Sequence, residues 1–321
     1  MKITASTLLS SATIACLTIA NPVYAELSKQ DSTQLNDKPF VVGAVSQKVK
    51  SRIKWSLPLA NYLADSLKEF GYTHGEVVVV STLEEMEEKL RNHKVHLLPA
   101  TVYSALLYEK NADANILTRR WKKGRATYSS IIFSIKSEES KSFSELNGKS
   151  ILFEKPSSNS SFFIPAVSLL SQGYELQYLD SHRQKPDSDK VGYMFIDQQL
   201  KQSNEINISS WVYQGRADLG AFSDSNWNAN EDMPAKIKQS AEVVYESSPY
   251  PRDLMLSSPE FSDEMNNAIR HTLMNMHNTA EGKATLVRFQ KTTKFDELNE
   301  ETRKVLDEAR LQLPKIEALT K

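Results

Sequence analysis

Over residues 39–135, short continuous apolar runs alternate with stretches whose apolar residues recur every three or four positions. The first run, 39–45, predicts a buried strand. In residues 55–70, Trp55, Leu59, Tyr62, Leu63 and Leu67 fall at helical spacing, with Pro58 tolerable in the first turn. Residues 77–80 predict a second strand. Ser81 and Glu84 have capping-box spacing and open a helix ending near Arg91. A strand at 95–98, a helix at 101–108 and strands at 114–121 and 127–135 follow. This order predicts a doubly wound α/β unit.

The pattern then restarts. Ser142 and Glu145 suggest a second capping box, and Gly148 suits the position just past a short helix. A strand at 150–153 runs into a polar turn and an apolar helix at 162–170. Strands at 175–179, 191–196 and 217–222 and a broadly helical 197–214 complete a second unit, with a loop at 181–190. Beyond it lie a polar stretch at 223–236, a strand at 242–245, and the rigid connection Ser247-Ser248-Pro249-Tyr250-Pro251. Helices are predicted at 261–276, 280–289 and 300–311.

The chain therefore leaves the first unit near 128–132 and is expected back near 222–226, with the second unit inserted. The expected boundaries are 39–130 for the first part of lobe one, 131–222 for lobe two, and 223–321 for the rest of lobe one with the C-terminal helices. Two crossing strands make a hinge, and a cleft between lobes is where such folds hold ligands.

The turn between strand 150–153 and its helix holds Ser158, Asn159, Ser160 and Ser161. The first N–H groups of a helix have no internal partner and favour anions. Two readings stand: an oxyanion grip, or an ordinary serine N-cap on a surface helix.

Charge narrows the partners. Thirty-nine basic and 40 acidic residues give a net charge of -1, without the footprint of a nucleic-acid binder. The N-terminus reads as an export signal: Lys2, an apolar core at 8–20, the break Asn21-Pro22, and cleavage after Ala25. Residues 26–38 read as a linker. The single cysteine, Cys16, lies inside the signal, and plain cleavage ranks above lipidation there. The mature chain then lacks disulfides, thiolate metal sites and thiol catalysis.

Several ordered blocks resemble one family. Trp121-Lys122-Lys123-Gly124 leads to Tyr128-Ser129-Ser130-Ile131-Ile132-Phe133, and Ser144-Glu145-Leu146-Asn147-Gly148-Lys149 precedes Phe153-Glu154-Lys155-Pro156. Gly215-Arg216-Ala217-Asp218 matches a Gly-x-x-Asp block, and Pro251-Arg252-Asp253-Leu254 and Thr293-Lys294-Phe295-Asp296 fit the C-terminal pattern. With these the chain, from about Phe40 to Leu298, resembles the phosphonate/phosphite/phosphate-binding periplasmic receptors of ABC importers.

The resemblance implies a type II two-lobed α/β binding protein that is not an enzyme and needs no cofactor or metal. It would work in the periplasm as a monomer, bind a small phosphorus oxyanion, and hand it to an inner-membrane ABC permease. A sensor subunit on the same fold, or a receptor for another small anion, is the alternative. Carried over by position, the ligand residues are Ser158, Asn159, Ser160, Ser161, Tyr128 and Asp218, with Thr101 and Tyr103 from lobe one. This chain has Asn159 where the family favours Thr and Ser161 where it favours Gly. It has His96 where an acidic residue is common, and Ala100-Thr101-Val102-Tyr103 in place of a Glu-Thr-Pro-Phe-like turn.

Three other signals are weaker. His93 and His96 could begin a zinc site, but strand-end histidines are the simpler account. The basic run Arg119-Arg120-Trp121-Lys122-Lys123-Gly124-Arg125 reads as a solvated edge or a permease-docking patch. Ser51-Arg52-Ile53-Lys54 matches S-x-x-K without the companion motifs of serine enzymes of that class.

Overall fold

A computed structural model describes residues 37–137, 142–201 and 203–320. The expected signal segment, with Cys16, and all of the linker but its last two residues lie outside the described residues.

The chain runs β1 (Pro39–Val45), α1 (Val49–Ser66), β2 (His74–Val80), α2 (Leu83–Arg91), β3 (Leu97–Ala100), α3 (Val102–Ala112) and β4 (Asn115–Lys122). It crosses on β5 (Thr127–Tyr128) and continues through β6 (Ser130–Ile135), β7 (Ser150–Phe153), α4 (Ile164–Ser171), β8 (Leu176–Tyr178) and β9 (Val191–Phe195). Then come α5 (Ile196–Gln199), α6 (Glu205–Tyr213), β10 (Leu219–Ser223), α7 (Asp224–Trp227), α8 (Ala235–Ser240) and β11 (Ala241–Glu246). The chain returns on β12 (Tyr250–Pro251) and ends with β13 (Leu254–Ser257), α9 (Asp263–Asn275), α10 (Ala280–Arg288), β14 (Thr292–Asp296) and α11 (Glu300–Ala318).

Two six-stranded sheets result, β14-β4-β13-β3-β1-β2 and β11-β6-β10-β7-β9-β8. Each has a parallel half, β3-β1-β2 and β10-β7-β9-β8, joined to antiparallel strands. Helices cover them because parallel strands need crossovers. At Gly75, α1 lies so close to β2 that an added Cβ would come within 2.3 Å of the Ala60 carbonyl carbon.

The return crossing is later than expected. β5 pairs with β12, matching Tyr128 with Tyr250. β10 does not lead back to lobe one: after α7 and α8 the chain adds β11 to the far side of β6, so the second sheet continues past residue 222. The polar stretch 223–236 hid this, because α7 is a single turn capped by Ser223 and Asn226 rather than a hinge.

Other differences are local. α1 starts at Val49, six residues before the first apolar residue at helical spacing. Thr82, not Ser81, caps α2 by accepting from the Glu85 N–H, while the Ser81 N–H donates to Glu85 Oε2. The 197–214 helix divides into α5 and α6, because Asn204 and Asn207 cap each other reciprocally. Residues 142–149 form turns rather than a capped helix, with Gly148 at φ 73°. β13 and β14 were not anticipated.

One buried apolar cluster runs through both lobes. Tyr103 of α3 stacks on Phe163 of lobe two at 4.8 Å between ring centroids. α11 adds Val305, Leu306, Ala309, Leu313 and Ile316 to the same cluster. Among the described residues, no helix is long and apolar enough to cross a membrane.

Candidate functional site

In both sheets the strand ends that face the hinge carry the polar side chains. In lobe two, β7 ends at Phe153 and leads into a wide π-type turn, Asn159–Phe163, that enters α4. This is the serine-rich turn. Ser158 Oγ accepts the Ser161 N–H at 3.3 Å as an N-cap. Ser161 Oγ donates to the Ala221 carbonyl at 2.5 Å and accepts the Glu154 N–H at 2.8 Å, which fixes the turn to β10 and β7. The Ser160 carbonyl accepts from Ser130 Oγ at 2.7 Å.

Asn159 points into lobe one. Its Oδ1 accepts the Tyr103 N–H at 2.8 Å, in the first turn of α3, and its Nδ2 donates to the Tyr128 hydroxyl at 2.5 Å. The carboxamide oxygen thus takes the helix-end position that suits an anion. Burial raises the Tyr128 phenol to about 12, and the Arg252 guanidinium sits 5.0 Å from its ring centre. Burial likewise raises the Tyr103 phenol.

Six of the sequence-predicted residues therefore meet: Ser158, Asn159, Ser160, Ser161, Tyr128 and Tyr103. Asn159, Ser161, Tyr128 and the Ser158 hydroxyl oxygen serve one another and the backbone, as caps and as a bridge between lobes, while the half-buried Ser160 hydroxyl makes no hydrogen bond among the described residues. Asp218 does not join them. It precedes β10, which is parallel to β7, so it lies at the opposite end of the strands from the turn. There its carboxylate accepts from the Ser150 N–H and hydroxyl, each at 2.9 Å.

Thr101 leads to a different cavity, of about 210 Å³, lined entirely from lobe one. It sits where β1, β3 and β4 end and β13 begins. Thr101 and Ser104, 3.2 Å apart, come from the first turn of α3, and Arg52 comes from the start of α1. Arg120 and Lys122, two apart on β4, share one strand face, and Asp253 lies just before β13. The pocket thus holds three cations and one carboxylate.

Asp253 is already engaged. Arg120 Nε donates to its Oδ2 at 3.1 Å, Arg120 Nη2 makes a closer contact with the same oxygen, and Lys122 Nζ stands 3.9 Å away. Arg120 Nη2 also reaches Gln290 Oε1 at 3.2 Å. Arg120 is only 2% exposed and Tyr108 1%, yet among the described residues Arg120 Nη1 and the Tyr108 hydroxyl have no hydrogen-bond partner, nor has Arg52 Nε. Burial lowers the Arg52 pKa, the Arg120 charge lowers it further, and Asp253 opposes both. Burial lowers Lys122 too, again against Asp253.

Sequence reading missed this pocket because 119–125 looked like one surface patch. Strand alternation divides it. Arg119 turns to the other face, with Nη2 on Asp296 Oδ2 at 2.6 Å and Nη1 on Thr302 Oγ1 at 3.1 Å. Arg120 turns into the pocket. The i, i+2 spacing of Arg120 and Lys122 and the position of Asp253 in a family-like block were the available signals. His96 is a strand-end histidine whose Nδ1 accepts the Val41 N–H at 2.9 Å, and His93 lies 3.6 Å from Glu260.

The fold and the hinge define a two-lobed periplasmic binding protein of the second type. The model of the ABC transporter phosphonate periplasmic substrate-binding proteins matches residues 42–302, and the chain belongs to that family. Its members are substrate-binding components of transporters that work in the periplasm. Among solved structures, XAC2383 from Xanthomonas citri bound to ATP is 23% identical over 88% of this chain and 99% of its own, with a TM-score of 0.74. PhnD1 from Prochlorococcus marinus, in complex with methylphosphonate, is 16% identical over 86% and 98%, with a TM-score of 0.55. A phosphonate-transporter binding protein from Pseudomonas aeruginosa is 17% identical over 89% and 90%, with a TM-score of 0.52. No curated protein matches the sequence.

Proposed function

We propose that this receptor binds a small phosphorus oxyanion (phosphonate, phosphite or phosphate) in the lobe-one pocket and delivers it to a membrane permease. It acts as a monomer and needs no cofactor. The observation that supports this reading is Arg120, buried beside Asp253 with Nη1 and the neighbouring Tyr108 hydroxyl unpartnered by protein. A buried donor without a partner costs about 1–3 kcal/mol, so an oxyanion that satisfies several such donors is favoured. Guanidinium groups suit tetrahedral oxyanions because their N–H groups form a fixed fork. Thr101 and Ser104 add neutral donors at the start of α3, whose dipole favours the same charge. The cavity is below the roughly 300–1,000 Å³ of a site for a drug-sized ligand, which fits a small anion.

Thr101 is then the sequence-predicted residue that contacts ligand directly. Ser158, Asn159, Ser160, Ser161, Tyr128 and Tyr103 shape the contact between lobes, and Asp218 ties β7 to β10.

The test is a thermal-shift and calorimetric panel of phosphate, phosphite, methylphosphonate, aminoethylphosphonate, sulfate and ATP, the last because the Xanthomonas citri structure carries it. Ligand at 100 times its Kd adds about 2.7 kcal/mol of stability. That corresponds to a rise of roughly 4–5 °C in Tm for a chain of this size. A shift with a phosphorus oxyanion, reduced at least tenfold in affinity by Tyr108→Phe with Thr101→Val, supports the reading. No shift with any phosphorus compound removes it.

A further inference from the structure

The pocket does not end at its own wall. Arg52, Lys122 and Gln290 line both it and an outer groove of about 750 Å³. The groove adds Lys54, Lys123, Arg288 and Lys291, and its lining includes no carboxylate. Six cations therefore line the groove, and through Arg52, Lys122 and Gln290 it adjoins the pocket that holds Arg120 and Tyr108. These cations come from four separate places in the chain: α1, the β4 terminus, α10 and the turn before β14. At that turn the backbone is unusual. Lys123, Gln290 and Lys291 all have positive φ, at 54°, 54° and 56°. Such backbone is strained at a non-glycine residue. The Lys123 N–H donates to the Lys291 carbonyl at 2.9 Å, which holds the two cationic turns against each other.

Asp253 is the carboxylate at the pocket end and is already held by Arg120, so a single oxyanion in the inner pocket leaves the cations of the outer groove without an anion among its own lining. We propose that the physiological ligand is longer than one oxyanion: a chain of two or more phosphoryl groups. Its terminal group sits in the inner pocket, and the following group lies in the outer groove between Lys54, Lys123, Arg288 and Lys291. Arg52 and Lys122, at the junction, touch both. This rests on the proposed function insofar as the inner pocket is the anion site, and adds the length and charge of the ligand.

The probes are orthophosphate, pyrophosphate and tripolyphosphate, titrated calorimetrically into the full mature chain at one fixed salt concentration. Wild-type protein is expected to bind tripolyphosphate at least thirtyfold tighter than orthophosphate, with pyrophosphate between. In a Lys54→Gln, Arg288→Gln variant, with both changes at exposed helix positions, that ratio is expected to fall to threefold or less. Its unfolding midpoint serves as the check that the chain folds. Orthophosphate binding with a wild-type ratio of threefold or less overturns this inference and leaves the proposed function standing. A high ratio that the variant preserves also overturns it, since the groove then plays no part. Binding of none of the three probes, nor of any phosphonate, removes the proposed function and this inference together.

Discussion

Asn159→Ala removes the polar bridge between lobes. In the native protein Asn159 joins the Tyr103 N–H at 2.8 Å and the Tyr128 hydroxyl at 2.5 Å, and the side chain is buried. Each bond is worth about 0.5–1.5 kcal/mol net, and a buried group left unpaired costs about 1–3 kcal/mol. Opening the lobes lets water reach both orphaned groups, so part of that penalty is avoided. The closed state should therefore weaken by about 2–4 kcal/mol, and at about 1.4 kcal/mol per tenfold this is roughly 30- to 700-fold. The residue-specific assay is amide hydrogen exchange at Tyr103, read against amides in β9, whose ladder bonds to β7 and β8 do not involve the bridge. Protection at Tyr103 should fall by that factor while β9 protection changes little, and small-angle scattering should show a larger radius of gyration. Asn159→Asp should behave differently. It keeps an acceptor at the α3 N-terminus, where a negative charge is favoured, and the Tyr128 hydroxyl can donate to it. An unchanged Tyr103 protection factor in Asn159→Ala, with the mean radius also unchanged, would refute the bridge. The Tyr103–Phe163 stack and α11 would then suffice to hold the lobes.

Three further outcomes are expected. Asp218→Ala should lower stability by about 1–3 kcal/mol by orphaning the Ser150 N–H, with ligand affinity unchanged within twofold by calorimetry; a large loss of affinity would return Asp218 to the site. Stability should fall with acid because His96 is held at about 4, chiefly by burial and then by Lys38, against an ordinary 6.5. The unfolded chain takes up the proton first, so this contribution is complete above about pH 6.5, shrinks as pH drops toward 4, and totals no more than about 3 kcal/mol. The Glu260 carboxylate 3.9 Å from Nε2 opposes the effect, and His96→Gln should flatten the Tm-versus-pH slope in that window. Gly75→Ala should cost about 1–3 kcal/mol or more by forcing α1 off β2, seen as a lower urea midpoint with an unchanged slope.

The parallel halves of both sheets were legible because buried strands of the βαβ type are written as continuous apolar runs, as in residues 39–45, 150–153 and 217–222. β13 and β14 were not. Leu254–Ser257 and Thr292–Asp296 are short antiparallel additions whose partner, β4, lies more than 130 residues away. Nothing in their local pattern separates them from loop. The crossing at β12 was obscured for the same reason: two residues, one of them proline, pair with two others across the hinge. At the site, the serine turn was legible as a helix start. What its side chains face was not, because Ser161 and Asn159 find their partners in Ala221, Tyr103 and Tyr128 only after both lobes have formed. The cationic pocket was hidden more deeply, since a basic run reads as solvated until strand alternation sends Arg119 and Arg120 to opposite faces.

The proposed lobe-one pocket divides the work between the lobes differently from the sequence expectation. Neutral donors on the lobe-two turn were expected to hold the anion, which avoids burying fixed cations. Asn159 and Ser161 of that turn are engaged in hydrogen bonds of their own, and fixed cations line the lobe-one pocket. The first turn of α3 connects the two. Thr101 and Ser104 face the pocket, while the Tyr103 N–H between them faces Asn159. The pocket and the carboxamide of the bridge therefore meet the same helix end. An anion bound there as proposed would act on the helix end that Asn159 caps, and any factor it added to closure, closure would add to its affinity.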